Sequence, residues 1–125
     1  MGVIAKNDRE LKLYYNSETS IGKQTLPYVE ASEKEIATID ISKTKVTGTQ
    51  WVEIAGNLNL HISQLVNQKH PDFVQIYGDK EVHLEDHDWL KLIEKNPIIV
   101  NYPIAINGNQ FLQIKSPSDV EKYLE

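Results

Sequence analysis

The chain has no cysteine among its 125 residues. That excludes disulfides, thiolate metal sites and every reaction that needs a thiol. Arginine is almost missing too, with Arg9 the single example. A site that grips an oxyanion through forked guanidinium contacts has almost nothing to be built from. No block of Lys and Arg occurs, and 13 basic against 18 acidic residues leave a net charge of -5. Nucleic-acid binding rests on clustered positive charge meeting phosphate, so no direct nucleic-acid partner is expected. No apolar run approaches the roughly 20 residues of a membrane span. The segment 1–10 lacks the apolar core of a secretory signal. Lys6 stands where a myristoylation motif needs Ser or Thr. The expectation is a cytoplasmic protein with no membrane partner.

What is present is ordinary for one globular domain spanning 1–125: 40% hydrophobic and 25% charged residues. Leu11, Leu13 and Tyr15 alternate with Lys12 and Tyr14, which predicts a strand over 10–15. Asn16 to Thr19 is a polar loop. Thr19 or Ser20 then caps a helix to about Ser32, with Pro27 expected to kink it. A second strand is expected over 35–42. Thr47 or Thr49 caps a helix carrying Trp51, Ile54, Ala55 and Leu58. A further short helix is expected over 61–69, ended by Pro71. Residues 72–80 read as a loop or short helix, and 86–95 as a helix.

A strand is expected to begin at 98–100, break at Pro103 and resume over 104–106. Asn107-Gly108 is the strongest hairpin signal, with 110–114 as partner strand. Ser116, Pro117 and Asp119 suit the cap, first residue and first turn of a last helix. The order is β-α-β, an all-helical insert at about 44–95, then β-β-α. A parallel first unit and a closing hairpin make a mixed four-stranded α/β sheet flanked by helices.

Two segments carry a family resemblance. Asn96-Pro97-Ile98-Ile99-Val100-Asn101-Tyr102-Pro103-Ile104 resembles the His/Asn-Pro-Ile-Leu and Arg-Pro-Ile segments of glutaredoxin-linked arsenate reductases and the related Spx regulators. Lys115-Ser116-Pro117-Ser118-Asp119-Val120 is similar to their Arg-Pro-Ser-Glu-Val element. Tyr15-Asn16 matches the Tyr-x-Asn-Pro lead-in in part, with Ser17 where Pro is usual. The resemblance covers about 11–124 and implies a thioredoxin-like fold. It also implies a cis bond between Tyr102 and Pro103. The family's cysteine falls on Thr19, and its three arginines on about Asn67, on Tyr102 and on Ser116 beside Lys115. A hydroxyl without a base cannot replace a thiolate nucleophile, so arsenate reduction has no reactive group to use.

Thr19, Ser20, Gly22 and Lys23 at a helix N-terminus can hold an anion, because free amides and the macrodipole favour negative charge. Glu18 opposes this, and Thr19 also reads as a plain cap. The backbone of Tyr102 before Pro103 can pair with an extended peptide or with glutathione. The candidate ligand set is therefore Asn16, Thr19, Ser20, Gly22, Lys23, Tyr102, Pro103 and Lys115. No catalytic residue, cofactor or metal is assigned. His83 and His87 share a helical spacing but lack a third ligand. His61 and His70 show no adjacent serine and acid in sequence that would make a triad, and read as structural or surface residues. Trp51, Trp89, Phe73 and Phe111 read as core; Tyr14 and Tyr102 fall by resemblance near the former active site. The leading functional reading is a silent relative serving as an interaction or regulatory scaffold for a protein partner. Spx-type regulators, by resemblance, bind RNA polymerase. The alternative is a small-anion or glutathione binder, or a residual glutathione-dependent enzyme.

Overall fold

A computed structural model describes residues 11–32, 34–78 and 82–124. The chain runs β1 (Leu11–Tyr15), α1 (Ser20–Glu30), β2 (Ala37–Asp40), α2 (Gly48–Asn57) and a 3₁₀ turn (Ile62–Leu65). It continues through α3 (Pro71–Tyr77), α4 (Asp86–Lys95), a second 3₁₀ turn (Pro97–Ile99), β3 (Ile104–Asn107), β4 (Gln110–Gln113) and α5 (Asp119–Leu124). The sheet order is β2-β1-β3-β4. β1 and β2 are parallel, while β1–β3 and β3–β4 are antiparallel. This is the mixed four-stranded sheet the element order predicts.

The alternation of side chains along a strand sends neighbours to opposite faces. Leu11, Leu13 and Ala105 pack with Val29, Ile114, Val120 and Tyr123, the layer that α1 and α5 cover. Tyr14, Ile104 and Ile106 face the other way, into a larger core with the helical insert. There Phe73 stacks on Trp89 with centroids 5.9 Å apart and planes 8° apart. Both rings are fully buried, as expected for core aromatics.

Two turns show why particular residues are needed. Thr47 forms a capping box with Gln50, so the α2 cap is Thr47 and not Thr49. Gly108 takes φ 58° as the first residue of the β3–β4 loop, a conformation that favours glycine. α1 runs to Glu30 and carries Pro27 on its exposed side, where the carbonyl left unpaired by the ring can meet water.

Several expectations are corrected. The expected helix over 61–69 is one 3₁₀ turn, because Val66 turns extended and bridges Val100, and the Asn67 amide donates to the Ile99 carbonyl at 2.7 Å. Pro71 opens α3 instead of ending a helix; at N1 its missing N–H costs nothing. Residues 97–99 coil as a 3₁₀ turn, with the Val100 amide donating to the Pro97 carbonyl, so the strand starts only after Pro103. α5 is regular only from Asp119, because the first bonds are tight turns from the Asp119 amide to the Ser116 carbonyl and from the Val120 amide to the Pro117 carbonyl; the Asp119 carboxylate accepts the Ser116 amide at 3.1 Å, as the expected cap at Ser116 requires. No cis peptide occurs among the described residues, so Tyr102–Pro103 is trans.

Candidate functional site

The loop from β1 to α1 is organised around Asn16, only 4% exposed. Its side-chain oxygen accepts the Glu18 amide at 2.8 Å, and its carbonyl accepts the Thr19 amide at 3.0 Å. The Thr19 hydroxyl donates to that same carbonyl at 2.8 Å and accepts the Gly22 amide at 3.0 Å. Thr19 is thus the N-cap of α1, with its hydroxyl engaged both as donor and as acceptor. Gly22 is required by this turn: a Cβ there would stand 2.0 Å from the Asn16 carbonyl oxygen. The glycine lets backbone approach backbone, not ligand approach backbone.

A carboxylate closes the loop from outside. Asp40, at the end of β2, accepts the Ser17 amide at 3.2 Å, the Ser42 amide at 3.0 Å and the Ser42 hydroxyl at 2.7 Å. Partial burial pushes its carboxyl up, but the hydrogen bonds from Ser17 and Ser42 together outweigh this and bring it down to about 2. The neighbouring Tyr15 hydroxyl is raised, first by burial, then by the negative charges of Asp40 and Glu30. Asp40 thus places a negative charge beside the loop.

Beneath the loop lies a cleft walled by Tyr14, Ile41, Trp51, Val100, Tyr102 and Pro103, with Asn16 and Thr19 also on its lining. Its cavity volume is about 10 Å³, near the room of one water. Of the predicted ligand set, Asn16, Thr19, Tyr102 and Pro103 come together here. Ser20 and Lys23 are exposed on α1, and Gly22 is buried under the turn; none of the three lines the cleft. Lys115 lies off the cleft with its ammonium 5.9 Å from the centre of the Tyr102 ring. The side-chain nitrogen of Asn16 is buried with no hydrogen-bond partner.

The three positions where the resemblance places arginines do not converge. Asn67 and Tyr102 line one open groove, of about 560 Å³, while Ser116 is exposed and tied to Asp119. Sequence reasoning missed Asp40; the signal available for it was an Asp-x-Ser pattern after a strand, which an Asx turn explains. It also missed a polar relay. His61 meets Ser63 on one ring nitrogen and Asp86 on the other, while its exposed side chain caps the 3₁₀ turn, in keeping with the structural or surface reading of His61. His70 caps α3 by accepting the Asp72 amide at 3.1 Å. His83 lies in the coil before α4 and His87 in its first turn; among the described residues no group of three His, Asp or Glu could hold a metal ion.

No family model and no curated protein matches the sequence. Solved structures do. The arsenate reductase from Vibrio cholerae superposes with TM-score 0.77 at 17% identity, covering 93% of this chain and 98% of that one. An arsenate reductase related protein from Brucella melitensis superposes with TM-score 0.68 at 14% identity, covering 95% and 98%. The fold is that of the arsenate reductases. In this chain the arsenate-reductase-like fold carries no cysteine at any position. Among the described residues no helix is long and apolar enough to cross a membrane.

Proposed function

We propose that this arsenate-reductase-like chain, catalytically silent at its Thr19 loop, works in the cytoplasm as an interaction or regulatory scaffold that binds a protein partner. One observation carries the reading: the Thr19 loop is closed on itself. The Thr19 hydroxyl is engaged within its own turn, and the cleft below holds about 10 Å³. A group that donates and accepts inside a cap, with no base beside it, is not an activated nucleophile. The test is a thermal-shift titration with arsenate, phosphate, sulfate and glutathione, since a ligand that binds the folded state raises Tm with concentration. The scaffold reading expects no shift with any of the four.

A second reading has its own observation. The Asn16 side-chain nitrogen is buried without a partner on the cleft lining, and the first amides of α1 have no intrahelical acceptor. A small oxyanion or the backbone of glutathione would satisfy such donors, using Asn16, Thr19, Ser20, Gly22, Lys23, Tyr102, Pro103 and Lys115. A saturable shift that Thr19→Asp abolishes supports this reading and opposes the first.

A further inference from the structure

Away from the Thr19 loop, three side chains from two elements form a hydrogen-bonded chain. The Ser63 hydroxyl lies 2.8 Å from His61 Nδ1, and Asp86 Oδ1 lies 2.7 Å from His61 Nε2. The roles within the chain are fixed by a third contact. The backbone amide of Ser63 also points at Nδ1, at 3.2 Å, and an amide can only donate. Nδ1 is therefore the acceptor, and in the neutral ring the proton sits on Nε2, where it donates to Asp86. The one lone pair of Nδ1 is shared between the Ser63 amide at 3.2 Å and the Ser63 hydroxyl at 2.8 Å. A serine, a neutral imidazole aimed at it and a carboxylate fixing the tautomer are the three roles of a nucleophilic triad, with the two ring nitrogens exchanged.

The chain opens on a site. Ser63 lines the groove of about 560 Å³ together with Gln64, Asn67, Gln68, Lys69 and Tyr102. The Asn67 side-chain oxygen accepts the Lys69 amide at 3.0 Å, which leaves the Asn67 amide hydrogens free to donate. Gln68 adds a second side-chain amide, and Lys69 is the charged side chain of the lining. A cap alone would need only the Ser63 amide on Nδ1; the hydroxyl contact is shorter, and Asp86 comes from α4.

We propose that Ser63 is a nucleophile activated by His61 for acyl transfer from small esters, with Asp86 as the positioning residue. The Ser63 oxygen attacks the ester carbonyl carbon, and its proton passes to His61 Nδ1. The bond from carbon to the alcohol oxygen breaks, and the same proton leaves with the alcohol. Water then attacks the acyl-serine, gives its proton through His61, and releases the carboxylic acid and free Ser63. The sum is ester plus water giving acid plus alcohol. The His61 and Asp86 side chains are 52% and 68% exposed, so water competes for both. The site therefore suits activated esters with a short acyl group, and Lys69 favours an acyl part bearing a negative charge.

The test uses the full chain with p-nitrophenyl acetate and with an alkyl fluorophosphonate, read by chromogenic rate and by intact and peptide mass. The expected result is an acetyl or phosphonyl adduct on Ser63. Ser63→Ala should remove the adduct and lower turnover about 100-fold, the lower end of what positioned proton transfer supplies. Asp86→Asn should slow adduct formation with Tm unchanged, and Asp86→Glu should restore part of the rate, which a purely structural contact would not do. Adducts confined to lysines or to His61, or a rate that Ser63→Ala leaves unchanged, overturn the proposal. Circular dichroism of each variant separates a lost nucleophile from a lost fold.

Discussion

Replacing Gly22 with alanine should destabilise the protein, although the same change in an open helix stabilises. The added methyl carbon would sit 2.0 Å from the Asn16 carbonyl oxygen and 2.8 Å from the Thr19 hydroxyl oxygen. The first neighbour is backbone and cannot rotate away. Relieving the overlap means moving the turn, at about 1–3 kcal/mol. The move also pulls Thr19 from the Gly22 amide, and loss of such a cap costs about 1 kcal/mol. Alanine's better helix propensity returns about 1 kcal/mol. The net is a loss of about 2 kcal/mol, or a fall in Tm of about 8 °C for a domain of this size. Gly56 is the control. It is exposed in α2, has no atom within 4 Å of an added Cβ, and should gain about 1 kcal/mol as alanine. Paired thermal and urea melts of Gly22→Ala and Gly56→Ala decide the matter. A Gly22→Ala protein as stable as the parent, or more so, refutes the account of a closed loop built on backbone contact.

Thr19→Ala should lose about 1 kcal/mol, since it removes a hydroxyl that both caps α1 and holds the loop; urea midpoints at unchanged slope would show it. Asp40 titrates at about 2 in the folded chain against 3.8 unfolded, so its contribution is complete above the unfolded value and is lost as pH falls toward the folded one. Wild type should therefore lose more Tm than Asp40→Asn between about pH 4 and pH 2, and equal losses would contradict the hydrogen-bond assignment. Phe73→Ala empties a fully buried site stacked on Trp89 and should cost about 3–5 kcal/mol, measured by denaturant melts.

The fold was legible where period and cap agreed. β1, α1, α2 and α4 each carry an apolar repeat beginning beside a recognisable start signal, and Gly108 marks the hairpin. Legibility ended where prolines and long-range pairing compete. Pro71 reads as a helix stop and 98–100 as a strand start, yet Pro71 and Pro97 both sit at the first position of a helical turn, where the missing N–H is harmless. Val66 leaves the helical path because Val100 offers a bridge 34 positions away, which no local window contains. The candidate site was half legible. Thr19 as a cap follows from a hydroxyl before an apolar repeat. Asp40 on the Ser17 amide joins residues 23 apart, and Asp86 on His61 joins an insert turn to α4. The first depends on how β1 and β2 pair and the second on how the insert's own segments pack, which only the three-dimensional fold specifies.

The closed loop is tested most directly by amide nuclear magnetic resonance of α1's first turn. Phosphate, arsenate and glutathione would each be titrated while the Ser20, Ile21 and Gly22 amide signals are followed. The account predicts no saturable movement of these signals, because the Thr19 hydroxyl and the Asn16 carbonyl close the turn and Asp40 holds a negative charge beside it. Saturable movement of all three with one of these ligands would contradict it and establish a working ligand seat at the Thr19 loop.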